Sequence, residues 1–221
     1  MNLQVLENRN DGDNNFSLIL QKPTGFNFYP GQYLDVKLPV DDPNGNTRAF
    51  TLSSSPSEDF LMITSKKGIS PYKKFAECLK PEDEVTISHP AGTFILDESS
   101  PAVFIAGGIG ITPFRSIIKY AYDQKLKTKI TLFYSNSDEH FVFKDSLEKW
   151  GGKLPNLKII YLNTSKTGYL NIEQIKKEVP DLVKPIFYLA GPPKMVDNFD
   201  QMLLNLKVDK VNIRTDRFDG Y

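Results

Sequence analysis

The 221-residue sequence contains one cysteine and two histidines. A single thiol excludes an intramolecular disulfide, a cysteine-based zinc site and a cysteine-ligated iron–sulfur cluster, because each needs at least two thiolates from the chain. With so little histidine available, we expect no metal site. We interpret the lone cysteine, Cys78, as a packing residue.

The sequence also lacks a net charge and any long hydrophobic run. Lys plus Arg and Asp plus Glu both number 27, so no overall field attracts nucleic acid or an anionic membrane. No run approaches the roughly 18 apolar residues of a membrane span, and the opening residues have no signal-peptide core. We therefore expect a cytoplasmic protein with no membrane span and no nucleic-acid partner.

The hydrophobic pattern divides the chain into two halves. Up to about residue 98, short runs alternate apolar and polar residues between turn signals such as Tyr29-Pro30-Gly31 and Pro43-Asn44-Gly45. This pattern predicts an antiparallel β-barrel or sandwich with one helix at about 71–80.

From residue 101 the pattern becomes strand, turn and helix in alternation. It predicts strands over 103–106, 130–134, 157–162, 186–190 and 211–213, and helices near 113–124, 142–150, 171–179 and 193–206. Such alternation favours a parallel, Rossmann-like sheet covered on both faces, with ligands at the carboxyl ends of the strands. Residues 97–101 read as a short hinge between the halves.

Two segments have the composition of anion-binding turns. After a strand comes Gly107-Gly108-Ile109-Gly110, and we predict Thr112 as the N-cap and Pro113 as the first residue of the following helix. In the first half, Ser70 would cap and Pro71 would begin a helix beside lysines 66, 67, 73 and 74. Free amides at both places could hold a phosphate, although a tight turn and a solvated helix start are the alternatives.

Seven short motifs follow one another along the chain. They are Arg48-Ala49-Phe50-Thr51 with the preceding Tyr29-Pro30-Gly31-Gln32-Tyr33, then Gly68-Ile69-Ser70, Gly92-Thr93-Phe94, Gly107 to Pro113, Phe133-Tyr134-Ser135-Asn136, Leu189 to Val196, and Asp216 to Tyr221. In this order the sequence resembles the ferredoxin–NADP reductase family over nearly its whole length.

The resemblance implies a fold and an activity. Residues 1–98 would form a Greek-key β-barrel that binds FAD, and residues 101–221 an α/β domain that binds NAD(P). A hydride would pass from NADH or NADPH to the flavin, and electrons would leave for a separate acceptor such as an acidic ferredoxin or flavodoxin.

The resemblance also implies site residues. Arg48 would grip the flavin pyrophosphate, Phe50 would pack on the flavin, and Thr51 would hydrogen-bond the ring nitrogen that accepts hydride. Other flavin contacts would come from Ala49, Ser65, Gly68, Ile69 and Ser70, and dinucleotide contacts from Gly107, Gly108, Gly110, Thr112, Ser135, Asn136, Gly191, Pro192 and Met195. Asp216, Phe218 and Tyr221 would complete the hydride-transfer corner, with the terminal aromatic covering the flavin. Taken singly, Arg48 is equally typical of a surface ion pair, and Phe50 and Met195 of a core.

Departures from the family pattern leave alternatives open. Ser137 stands where many NADPH users have arginine and is followed by Asp138 and Glu139, which favours NADH, although Lys166 could fold over and restore NADPH binding. Ala190 replaces a family cysteine. A flavin reductase that uses free flavin as its substrate, and a non-catalytic nucleotide-binding or docking subunit, are the alternative functions.

Overall fold

Six antiparallel strands form the first half of the molecule in a computed structural model, which describes residues 1–12 and 14–218. The strands are β1 (Asn2–Asn10), β2 (Asn15–Gln21), β3 (Tyr33–Lys37), β4 (Thr47–Thr51), β5 (Phe60–Lys66) and β6 (Glu84–Ile87), and they pair in the order β4-β3-β6-β1-β2-β5. A bridge between Leu52 and Ile63 brings the two edge strands together, so the sheet curves into a barrel around an apolar core.

The helix α1 (Pro71–Cys78) packs on this barrel and begins as predicted. Ser70 Oγ accepts the Lys73 amide at 3.3 Å, and Pro71 is the first helical residue. The helix buries Tyr72, Lys73 and Ala76. Cys78 lies about 200° around the helix from Ala76 and is exposed, so its interpretation as a packing residue is wrong.

Within residues 101–218, five parallel strands pair in the order β11-β10-β7-β8-β9. These are β7 (Ala102–Gly107), β8 (Ile130–Asn136), β9 (Leu157–Asn163), β10 (Ile186–Gly191) and β11 (Ile213–Arg217), and the helices are α2 (Ile111–Gln124), α3 (Lys144–Gly151), α4 (Thr164–Thr167), α5 (Ile172–Glu178) and α6 (Pro193–Asn205). β11 begins only at Ile213, later than the predicted 211, because the Asp209 side chain accepts the Val211 amide and caps a 3-10 turn over Lys210–Asn212.

The Gly-rich turn enters its helix differently from the prediction. Gly108–Gly110 form a 3-10 turn that continues directly into α2 at Ile111. Gly110 is therefore the N-cap, and Thr112 lies inside the first turn, where its Oγ1 donates to the Ile109 carbonyl at 3.1 Å. The prediction that Thr112 caps the helix and Pro113 begins it is wrong by two residues.

The segment between the halves packs on the parallel sheet. The Phe94 ring lies 5.7 Å from that of Phe114 and 5.5 Å from that of Tyr188. The Asp97 amide donates to the Tyr188 hydroxyl at 2.8 Å, so the predicted hinge is held in place at its first residue. The two sheets confirm the expected fold class, and no helix within the described ranges is long and apolar enough to cross a bilayer.

Candidate functional site

A cleft of about 620 Å³, here called the interdomain cleft, lies between the barrel and the parallel sheet. It brings together eight of the predicted site residues: Arg48, Ala49, Phe50, Thr51, Ser70, Thr112, Asp216 and Phe218. Tyr33, Thr64, Lys73 and Ile109 also line it. Because these residues come from β3, β4, β5, β11 and the starts of α1 and α2, the fold itself assembles the site.

Thr51 and Asp216 come from the two halves and both line this cleft. Thr51 is the last residue of β4, and Asp216 lies in β11 beside Ala190 of β10. Burial raises the pKa of Asp216 to about 6, and the nearby Thr51 side chain offsets part of that rise. The carboxyl group can therefore take up and release a proton near neutral pH.

Arg48 lines the cleft, but its guanidinium is held by its own hairpin. Nη2 donates to Asp42 Oδ1 at 3.1 Å, and Nη1 donates to the carbonyls of Asn44, Gly45 and Thr47 at 2.7–3.0 Å. The guanidinium carbon also lies 5.0 Å from the centre of the Tyr72 ring. The side chain is thus fixed before any ligand arrives.

Two backbone amides near the start of α1 already donate hydrogen bonds to carboxylates of the chain. Asp42 Oδ2 accepts the Tyr72 amide at 3.0 Å, and Glu77 Oε1 accepts the Gly68 amide at 2.9 Å. The bonds from the Tyr72 and Asn44 amides hold the pKa of Asp42 below its usual value. The amides expected to cradle a pyrophosphate are therefore partly used within the chain.

Lys73 supplies a second cation to the same cleft. Its side chain is largely buried, and Nζ donates to Ser65 Oγ at 2.5 Å and to the Lys66 carbonyl at 2.9 Å. Burial lowers the pKa of Lys73 to about 8, an effect that the nearby Glu77 carboxylate opposes. Lys73 is therefore part of the cleft rather than of an outer basic surface.

A second cleft of about 420 Å³ lies next to the Gly-rich turn, and Ile109 lines both clefts. Two predicted dinucleotide residues, Gly108 and Asn136, line it together with Lys66, Ser137, Asp138 and Glu139. The Lys166 ammonium forms an ion pair with the Glu139 carboxylate. Lys166 is therefore committed to a carboxylate at the place where it was considered as a phosphate ligand.

The other predicted residues lie outside the lining of both clefts. A Cβ on Gly107 would lie 2.4 Å from Met195 Sδ, and a Cβ on Gly110 would lie 2.2 Å from the Ala190 carbonyl oxygen, so both glycines permit close packing inside the protein. Ser65 is bound to Lys73, Gly68 to Glu77, Ile69 is 91% exposed, Ser135 is buried at the end of β8, and Gly191 and Pro192 lead into α6. Tyr221 lies outside the described residues. Phe50, which lines the interdomain cleft, is 5% exposed and also belongs to the barrel core.

Four residues that shape the site have almost no signal in the sequence. Asp42 stands just before a turn signal in the sequence. That signal predicts a hairpin, but it does not predict that Asp42 forms an ion pair with Arg48. Lys73 is one of four lysines near α1, and only the helix phase shows which one is buried. Glu58 and Arg115 are 57 residues apart and form an ion pair that no local pattern reveals.

Comparisons with known proteins agree with this geometry. Residues 104–201 match the family model of the oxidoreductase NAD-binding domain. The chain is 32% identical over 203 residues to a subunit of the Na(+)-translocating NADH-quinone reductase of Methylococcus capsulatus, covering 78% of this chain and 49% of that protein. The chain is 26% identical over 210 residues to flavohemoprotein A of Dictyostelium discoideum, covering 86% of this chain and 52% of that protein.

The chain is thus similar to members of the ferredoxin–NADP reductase family, and residues 104–201 carry the oxidoreductase NAD-binding domain. The FAD/NAD-binding domain of nitric oxide dioxygenase from Vibrio cholerae has the same fold, with a TM-score of 0.83 at 20% identity over 98% of both chains. Ferredoxin-NADP+ reductase from Plasmodium falciparum also has a TM-score of 0.83, at 19% identity over 98% of this chain and 95% of that one. These comparisons support FAD and a nicotinamide dinucleotide as the cofactors. The chain spans about half the length of the curated relatives it matches.

Proposed function

We propose that this chain transfers a hydride from a nicotinamide dinucleotide to FAD in the interdomain cleft, and that the electrons leave for a separate acceptor. The observation that carries the proposal is the lining of that cleft, in which Thr51 of the barrel and Asp216 of the dinucleotide-binding half lie close together. Hydride transfer requires the nicotinamide and the flavin to be in contact, and this cleft is lined by residues from both halves.

The residues of the interdomain cleft fit FAD. Arg48 and Lys73 give it two cations, which suit a pyrophosphate, and Ser70 lies beside them at the start of α1. Bound FAD would supply the reversible two-electron chemistry that no side chain can supply. The chain itself would bind and orient FAD and exclude water from the flavin. Asp42 already fixes the Arg48 side chain for this purpose.

Thr51 and Asp216 would manage a proton beside the flavin. With a pKa of about 6, the Asp216 carboxyl is divided between its protonated and ionised forms near neutral pH. General acid and base groups work best in that range. The Thr51 side chain would favour the ionised form of the carboxylate.

NADH is the dinucleotide that the second cleft favours. Asp138 and Glu139 line it, and Ser137 offers no cation for the 2′-phosphate of NADPH. Because Lys166 is bound to Glu139, an NADPH phosphate would have to break that ion pair and meet two carboxylates.

The acceptor would be a separate protein or small molecule. The relatives are about twice as long as this chain, and two of them are named as a flavohemoprotein and as part of a quinone reductase. An acidic ferredoxin or flavodoxin would meet Lys67 and Lys74, which follow the cleft-lining residues Lys66 and Lys73 in the sequence, whereas Lys73 is buried and takes no part in such a surface. Charge reversal at Lys74 should slow reduction of such a protein at low salt, and an unchanged rate would remove this partner class.

One observation favours the second candidate, a flavin reductase that releases its flavin. Asp42 and Glu77 already hold the Tyr72 and Gly68 amides, so part of the phosphate cradle is occupied by the chain itself. A weaker hold on the pyrophosphate would let flavin exchange as a substrate.

The test is anaerobic titration of the purified protein with NADH and with NADPH, before and after desalting. The proposal predicts a yellow protein that keeps FAD and is bleached by NADH at a lower concentration than by NADPH. Flavin lost on desalting would favour the flavin reductase. Protein that binds FAD but is bleached by neither nucleotide would favour a non-catalytic docking subunit, and protein that binds no FAD would rule the proposal out.

A further inference from the structure

Arg115 in α2 joins the two halves at the loop that follows the flavin motif. Its Nη1 and Nη2 donate to the two carboxylate oxygens of Glu58 at 2.6 and 2.9 Å, and Nη1 also donates to the Ser53 carbonyl at 2.8 Å. The exposed fractions of the Arg115 and Glu58 side chains are 8% and 11%. Because this ion pair is bidentate and largely buried, it fixes both the distance between Arg115 and Glu58 and their relative orientation.

Two aromatic rings hold the guanidinium in place. Its carbon lies 5.3 Å from the centre of the Phe143 ring and 5.2 Å from that of Trp150. Phe143 has a φ of +67°, a conformation that bulky residues rarely adopt. This residue is the N-cap of α3, and its ring faces the Arg115 guanidinium.

The Arg115–Glu58 pair lies between the Gly-rich turn and the segment that follows Thr51. Arg115 lies in the second turn of α2, directly after the Gly108–Gly110 turn. Ser53 follows Thr51 by two residues, and the Ser116 hydroxyl holds the next residue, Ser54, through its carbonyl at 2.5 Å. Movement of the Gly-rich turn relative to Thr51 would therefore have to break these buried bonds.

We propose that the Arg115–Glu58 pair is a positioning device, which sets the distance between the dinucleotide at the Gly-rich turn and the flavin beside Thr51. The proposal rests on the proposed function. The hydride moves from C4 of the nicotinamide to the flavin ring with its two electrons, oxidising the first and reducing the second, so no further reactant is needed. Reaction requires the two atoms to be about 3–3.5 Å apart, and a misplacement of about 1 Å can cost about 100-fold in rate.

The test compares Arg115→Lys and Glu58→Gln with Lys210→Met as the matched control. Lysine keeps the charge but lacks the fork, and glutamine keeps the shape but lacks the charge. Lys210 pairs with both carboxylate oxygens of the buried Asp200, within the parallel-sheet half alone. All three changes disturb an ion pair, but only the first two disturb the link to Ser53.

The first readout needs no cofactor. Trp150 is the only tryptophan, and it lies against Arg115, so its fluorescence in the apoprotein reports on the pair. We expect acrylamide to quench it more strongly in Arg115→Lys and Glu58→Gln, and equally in Lys210→Met and the unsubstituted protein.

The second readout is stopped-flow reduction of bound FAD. We expect the limiting rate to fall about 10- to 100-fold in the two pair variants, with dissociation constants for FAD and nucleotide changing less than about threefold. A nucleotide deuterated at C4 should show a more temperature-dependent isotope effect in these variants.

The contrary outcomes are distinct. If either pair variant folds, as judged by circular dichroism, yet keeps the normal limiting rate and isotope effect, the pair is only structural and the proposal is overturned. If the unsubstituted protein binds FAD but transfers no hydride from either nucleotide, the proposed function fails, and the positioning role fails with it.

Discussion

Replacing Asp216 by Asn should stabilise the apoprotein at neutral pH. Burial raises the pKa of this carboxyl from 3.8 to about 6, so ionising it costs more in the folded protein than in the unfolded chain. The difference of about 2 in pKa corresponds to about 3 kcal/mol at 1.36 kcal/mol per pKa unit. Since the side chain retains some solvent contact, we expect about 2 kcal/mol.

The sign of this effect depends on pH. A carboxyl group whose pKa is higher in the folded state binds protons more tightly there than in the unfolded chain. The contribution of Asp216 to the free energy of unfolding therefore falls as the pH rises from about 4 to about 6, and it stays low above pH 6. Asp216→Asn removes this dependence, because asparagine stays neutral at every pH.

Urea denaturation of the apoprotein at several pH values between 4 and 8 measures the effect. The variant should exceed the unsubstituted protein by about 2 kcal/mol at pH 7–8 and match it near pH 4. Asp59→Asn, at an exposed position, controls for the loss of one negative charge and should show no such trend. A variant no more stable than the unsubstituted protein at pH 7 would refute the reasoning, as would a difference that persists unchanged at pH 4.

Three further predictions concern other parts of the site. Gly110→Ala should lower the free energy of unfolding in urea by about 2 kcal/mol, because its Cβ would lie 2.2 Å from the Ala190 carbonyl oxygen. The control Gly152→Ala, whose nearest neighbour is at 3.4 Å, should lower it less, and equal losses would contradict the packing argument. Glu139→Gln should raise the kcat/KM ratio of NADPH to NADH about fivefold, since it frees Lys166, and Glu148→Gln should leave the ratio unchanged. FAD affinity, measured by flavin fluorescence, should fall as the pH rises through about 8 and Lys73 loses its charge; a dependence that survives in Lys73→Met would assign it to another group.

The fold was largely predictable from the sequence, because its signals are local. Alternation of period two marked the barrel, and strand, turn and helix in alternation marked the parallel sheet. Errors arose where one element runs into another. The 3-10 turn at Gly108–Gly110 merges with α2, so the predicted cap at Thr112 lies inside the helix, and Asp209 caps a turn that delays β11 to Ile213.

The site was only partly predictable, because a motif residue can either face a ligand or permit close packing inside the protein. Eight predicted residues line the interdomain cleft, but Gly107 and Gly110 are glycines because Met195 and Ala190 press against them. Both a ligand's approach and a close backbone contact select glycine, so a motif cannot tell them apart. Phe50 likewise belongs to the barrel core although it stands within the flavin motif.

Two of the residues that the sequence did not reveal are carboxylates that hold an arginine side chain. Asp42 holds Arg48 and Glu58 holds Arg115, and both carboxylates also accept backbone amides, those of Tyr72 and Ser55. A buried carboxylate with several donors is stable only where the fold brings those donors together, so nothing in its own neighbourhood along the chain predicts it. The motif residues can be found in the sequence alone, whereas the acids that hold these two arginines are found only in the three-dimensional structure.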